Sequence, residues 1–346
     1  MIPKIYLSID NCFASKRWTL PEEWLPLIRD MGLRYAEASA DTECDPLYST
    51  AGYLESWKRE VADISRQTGV KVSQFFSGHG TYSTCGLTHT DPGVRRHILE
   101  NWLYPMGRLA GSMQANLGFY CHAFPRSVLY DGEQYEAALY SLKESLALAA
   151  KSAYENGCKT VSLEQMYTPH QVPWTIRGTQ EMLRDVTALS GHPFYTVIDL
   201  GHQVGQRRFL RKPGDPALHP HLTACEADTK TAHWLKALGC YSPILHVQQT
   251  DGIVSSHLPF TEAYNRIGLV RGDEVLSALL ASFRQPEQPG MPPRVREIFI
   301  TLEIFASTAE TDREILHKLA ESVEYWRQYI PEDGLPLDAL VERTVP

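Results

Sequence analysis

No stretch of this chain approaches the roughly 20 consecutive apolar residues of a membrane-spanning helix. Its opening, MIPKIYLSID, lacks the long apolar centre of a secretory leader. The seven cysteines are odd in number and scattered, and no two stand in CxxC spacing. That argues against a disulfide framework or a zinc knuckle and for a reducing, cytoplasmic setting. Basic residues are not in excess: 33 Lys and Arg face 41 Asp and Glu, for a formal charge of −8. A nucleic-acid partner, which needs a basic face, is therefore not expected, and no membrane is expected either. Glycine-rich phosphate loops are missing too. The first apolar run leads into IDNCFASK, with neither GxGxxG nor GxxxxGK[ST] behind it. Internal repeats and low-complexity tracts are also absent.

What the chain does have is length, apolar content and alternation. Its 346 residues, 43% apolar and 21% charged, suit either two domains or one large barrel. Short apolar runs fall at 4–10, 33–39, 71–77, 117–124, 159–164, 194–200, 242–249 and 296–303. Between them lie segments of helical period. Leu139, Leu142, Leu146, Ala149 and Ala153 form one stripe, ended by Asn156-Gly157. Ile315, Leu316, Leu319, Val323 and Trp326 form another, and 21–32 has proline at its start and glycine at its end. Strand–helix alternation implies parallel strands covered by helices, and eight units imply a closed (β/α)8 TIM barrel, here one domain over 1–346. The rival, an open doubly wound sheet, advertises a glycine-rich turn after its first strand, and this chain has none. The Pro-rich stretch 283–297 reads as a loop before the last strand, and the basic stretch 205–223 as a candidate lid.

Active sites of such barrels lie at the carboxyl ends of the strands. There the eight runs deliver Asp10, Glu37, His79, His122, Glu164, Asp199 followed by His202, His246 with Gln248, and Glu303. Any one polar residue at a strand end is ordinarily just the start of a loop, and a lone His on an apolar strand is ordinarily a bonded core residue. The joint pattern is harder to dismiss. The last four strands end in Glu, Asp, Gln and Glu, all oxygen donors, which the barrel converges on one axis. Carboxylates so placed repel one another unless a cation joins them. Glu164, Asp199, Gln248 and Glu303 thus form a candidate site for one hard or borderline divalent ion, Mn²⁺ first, with Mg²⁺, Co²⁺ or Zn²⁺ as substitutes.

The set LE (163–164), Asp199-Leu200-Gly201-His202, HVQ (246–248) and TLE (301–303) resembles the xylose isomerase-like TIM barrels. More narrowly it is similar to the sugar phosphate isomerase/epimerase group, with hydroxypyruvate isomerases and ketose 3-epimerases. The resemblance implies that Glu164 and Glu303 are both ligands and the acid–base pair. It implies that Asp199 and Gln248 are ligands and that His202 faces substrate. Two positions depart from the 3-epimerase pattern. His170 stands where a second glutamate is usual, and the segment after strand seven has Asp251 and His257 but no arginine in the usual place.

The expected reaction is proton transfer beside a carbonyl through an enediolate, giving isomerisation or epimerisation of a small sugar or sugar phosphate. A lyase acting on a 3-keto sugar needs the same first step. His202, His170, Glu37, His79, His122 and His257 are the candidates for gripping substrate. The rival from another class is a metal-dependent phosphoesterase of the AP-endonuclease type, with His79 and His122 holding further zinc ions. A homo-oligomer is left open.

Overall fold

The computed structural model describes residues 2–78, 84–211 and 219–344. Eight strands run parallel in sequence order: β1 Lys4–Asp10, β2 Tyr35–Ser39, β3 Lys71–Ser77, β4 Asn116–Phe119, β5 Val161–Glu164, β6 Tyr195–Asp199, β7 Ile244–Val247 and β8 Glu297–Leu302. Strand β1 pairs with β8 on one side and β2 on the other, so the sheet closes into a (β/α)8 barrel. Helices such as Pro21–Asp30, Ala51–Thr68, Gly132–Glu155, Ile176–Ser190, Gly272–Phe283 and Asp312–Arg327 fill the connections. Among the described residues no helix is long and apolar enough to cross a membrane.

The period of two sorts each strand into two faces. In β1 the outward Ile5, Leu7 and Ile9 are fully buried beneath helices, while Tyr6, Ser8 and Asp10 alternate with them. The aromatic rings Tyr6 and Phe299 stack at 5.0 Å near the amino end of the barrel, with Tyr35 edge-on to Tyr6 at 5.0 Å. Higher up, Phe76, Val197 and Ile244 pack together. Gly118 on β4 makes room for them, since a β-carbon there would lie 2.9 Å from Phe76 Cδ2 and 3.0 Å from Val197 Cγ2. The interior is a packed core rather than a pore.

Barrel shear leaves the two edges of β1 unequally covered. β2 pairs only with Ile9 and Asp10, whereas β8 pairs from Lys4 to Ile9. The bare lower edge is taken by a two-residue strand, β9 Leu335–Pro336, antiparallel to Lys4 and Ile5. Asp333, just before it, accepts from Leu7 N at 2.9 Å and holds Arg327. This capping of a strand edge has no period to read in sequence.

Helix limits follow the local chemistry. Thr50, Asp131, Thr175 and Thr311 each accept from a first-turn N–H of the helix they precede. Gly157, two residues past the helix Gly132–Glu155, has φ +100°, as the Asn156-Gly157 stop requires. Six of the expected strands are trimmed at one or both ends, and in one of them the chain leaves the barrel wall altogether. The run 117–124 is extended only to Phe119, and Tyr120–Phe124 then swings away to bridge the segment at 85–88, with Leu87 N donating to Cys121 O at 3.0 Å. Residues 212–218 of the candidate lid lie outside the described residues. The described parts make short helical turns at Gln203–Gln206, Arg207–Phe209 and Pro220–Leu222.

Candidate active site

Glu164 and Asp199 are the last residues of β5 and β6, and Gln248 and Glu303 stand one residue past β7 and β8. All four are buried, between 0% and 6% exposed. Oxygens of Glu164, Asp199 and Glu303 and a ring nitrogen of His246 all lie within 4.8 Å of one another. His246 is the hub of the floor. Its Nδ1 is 2.9 Å from Glu164 Oε1 and 3.2 Å from Glu303 Oε2, and its Nε2 is 2.8 Å from Glu37 Oε1. Asp10 and Glu37 form a second buried cluster that shares His246 with the first.

So many buried acids strain one another's ionisation. Burial, then the Glu37 and Glu303 charges, push the Asp10 carboxyl well above the usual carboxylate range. Burial also raises Glu164, against the hydrogen bond from His246. Glu303 goes the other way. Burial opposes its charge, but His246 and His257 outweigh that and hold it well below its ordinary value. Burial alone would depress His246. The Glu303 and Glu37 carboxylates overcome it and keep the ring protonated well above its usual range.

The donor set fits a divalent cation. Three carboxylates converge on one point, and Glu303 Oε2 is buried without a well-directed hydrogen bond. Gln248 sits beside them, but it turns nitrogen rather than oxygen inward. Its Nε2 donates to both Asp199 oxygens at 3.0 and 2.9 Å, while its Oε1 accepts from His257 N at 2.7 Å. Ligation through Gln248 oxygen requires the amide to turn over, which exchanges two groups of nearly the same shape. Gly201 is the residue that admits this amide. A β-carbon there would lie 2.4 Å from Gln248 Cδ.

Above the acids opens a cavity of about 210 Å³, lined on its polar side by Glu164, Glu303, His202, His257 and Ser255. Phe76, Met166 and Phe305 add apolar surface to the lining, with the Phe305 ring edge-on to His257 at 4.5 Å. His202 Nδ1 is 2.8 Å from Gln165 O, which points Nε2 toward Asp199 at 3.8 Å. His257 has φ +47°, a left-handed backbone that non-glycine residues rarely adopt, and its Nδ1 is 3.3 Å from Glu303 Oε2.

Of the six residues expected to grip substrate, His202 and His257 line this cavity. Three others do not. Glu37 lies below the floor, fully buried against His246 and, at 3.4 Å, Gln74 Nε2, so it props the floor instead of facing the cavity. His122 is committed elsewhere because its strand ends early. Its Nε2 is 2.5 Å from Val172 O, and burial lowers its pKa to about 3. His170 is exposed and its Nδ1 is 2.9 Å from Phe124 O. His79 lies outside the described residues. Two buried residues of the floor, His246 and Asp10, carry no role that the sequence alone assigns. The signal for His246 was present, since it stands two residues before Gln248 and so shares its face of β7. The apolar wall gave no signal, because Phe and Met at a strand end look like core.

No family model matches the chain. It is 23% identical to the D-erythrulose 1-phosphate 3-epimerase of Brucella abortus (strain 2308) over 330 residues, 94% of this chain and 96% of the relative. Among solved structures it superposes on a provisionally named xylose isomerase from Rhodospirillum rubrum with a TM-score of 0.76 and 17% identity, covering 94% of this chain and 99% of that one. The D-psicose 3-epimerase of Clostridium cellulolyticum H10, solved with D-tagatose, gives 0.63 and 13% over 94% and 98%. In fold, and along nearly its whole length, the chain is therefore similar to the xylose isomerase-like barrels, ketose 3-epimerases among them.

Proposed function

We propose that this protein is a divalent-metal-dependent isomerase that interconverts small sugars by moving a proton at the carbon beside a carbonyl, an epimerase or an aldose–ketose isomerase. One observation carries the reading: two buried glutamates, Glu164 and Glu303, face a single small cavity and share one imidazole, His246, at its base. Glu164, Asp199, Gln248 and Glu303 would hold the cation, Mn²⁺ by preference, which when bound supplies Lewis-acid stabilisation of the charge that develops on the sugar oxygens. One glutamate takes the proton from the C–H, and the same or the other returns it. Return to the opposite face of the same carbon gives an epimer, and return to the neighbouring carbon gives an isomer. His202 and His257 bind and orient hydroxyl groups from the polar side, while Phe76, Met166 and Phe305 keep water from the carbon under attack.

No lysine or arginine stands among the described residues lining the cavity, which supports an unphosphorylated sugar as substrate, unlike that of the Brucella relative as its name describes it. The phosphoesterase reading loses a ligand, since His122 is tied to Val172 O. A lyase acting on a 3-keto sugar shares the first proton abstraction and is separated from an isomerase by its products. The test is incubation of the metal-loaded protein in D₂O with tetroses, pentoses, hexoses, their phosphates and 3-keto sugars, followed by proton NMR. Deuterium should enter the carbon beside the carbonyl of at least one unphosphorylated sugar. No exchange with any sugar, together with cleavage of abasic-site DNA by protein carrying several zinc ions, overturns the proposal.

A further inference from the structure

At the amino end of the barrel, opposite the acidic cavity, the strand starts surround a second concavity of about 600 Å³. This protein carries a formal charge of −8, yet the lining brings together Lys4, Lys159, Arg294 and Arg296 against one carboxylate, Glu297. None of the four cations pairs with a carboxylate among the described residues. Arg294 spends its fork on the Phe283 and Gln285 carbonyls, and its Nε is buried without a partner. Its positive charge is thus fixed in place and uncompensated. Glu297, the opposing charge, is partly engaged by the Tyr6 hydroxyl at 3.2 Å.

The buried polar groups of the lining point to the same ligand chemistry. Asn116 is 5% exposed, and its Oδ1 already accepts from Thr160 Oγ1 at 2.9 Å. What Asn116 has left to offer is its NH₂, a donor. Tyr195, 7% exposed in the same lining, adds a hydroxyl. Fixed donors, unpaired cations and a concavity of small-molecule size make a site for oxyanions. The packed layer of Phe76, Val197 and Ile244 lies between this concavity and the cavity at the carboxyl end.

We propose that this groove binds a small phosphate-bearing anion, at a place separate from the catalytic cavity. Lys4, Lys159 and Arg296 supply the charge, and the Asn116 amide supplies a positioned hydrogen bond. The probe is inorganic phosphate, titrated calorimetrically into the metal-loaded protein at low salt, where screening is weakest. One saturable site is expected, and it should persist in Glu303→Gln. Affinity should fall at least tenfold in Lys159→Glu/Arg296→Glu, and also in Asn116→Asp, which keeps the shape but turns the free donor into a charge. The control pair Arg96→Glu/Lys151→Glu, on exposed helices elsewhere, should bind as the parent does. Absence of saturable binding overturns the proposal. So does undiminished affinity in Lys159→Glu/Arg296→Glu, or loss of binding in Glu303→Gln, which would put the phosphate in the catalytic cavity.

Discussion

Room for the Gln248 amide exists only because position 201 has no side chain, and that amide is what lies against Asp199. Gly201→Ala should displace Gln248 and weaken Mn²⁺ binding by about 10–100-fold, the usual effect of disturbing a ligand's support, measured by calorimetric titration. Asp199→Ala should go further and release the ion, and elemental analysis showing unchanged metal would refute that ligand. Glu164→Gln and Glu303→Gln keep the side-chain volume and an oxygen but remove the base. Each should lower turnover by about 10²–10⁴, and wild-type rates in both would place proton transfer elsewhere. The sequence carries these positions because an acid closing an apolar run is conspicuous. It carries less about His246, whose place in a strand interior reads equally as a bonded core histidine. Alternation along β2 gives the face that Glu37 occupies but not its depth, and the residue is buried against His246 instead of lining the cavity.

Elements were legible where their period was long. The stripe from Leu139 to Ala153 lies within the helix Gly132–Glu155, because three- and four-residue spacing over several turns admits no other fold. FYCHAF was not legible, since an aromatic run that leaves the sheet has the composition of one that stays. The turn after β4 seals His122 away from water, and this has a consequence for acid stability. The native pKa, about 3, lies below that of an exposed histidine, so at intermediate pH the unfolded chain binds a proton that the native state does not. Stability from this group is complete above roughly pH 6.5 and drains away as pH falls toward 3, at about 1.4 kcal/mol per pH unit. Denaturant titrations of His122→Gln across that window should show a correspondingly shallower pH dependence. The latch of β9 on β1 is tested by Asp333→Ala. That change strands Leu7 N and Arg327 and should cost about 1–3 kcal/mol, read as a lower denaturation midpoint with the slope unchanged.

At the scale of the molecule, closure of the barrel gathers acids from β1, β2, β5, β6 and β8 around one histidine, at a cost in self-repulsion that a cation would relieve. Thermal stability should therefore rise with added Mn²⁺, by about 2.7 kcal/mol at a hundredfold excess over the dissociation constant, and a chelator should reverse it. A Tm indifferent to both would remove the metal from the account. The packed interior has a kinetic corollary as well. With Phe76, Val197 and Ile244 filling the barrel across Gly118, and Tyr6, Tyr35 and Phe299 stacked beneath, nothing passes along the axis. Arrival and departure share one doorway. A molecule lodged there blocks traffic in both directions alike, and no product leaves by a back exit while the next substrate enters.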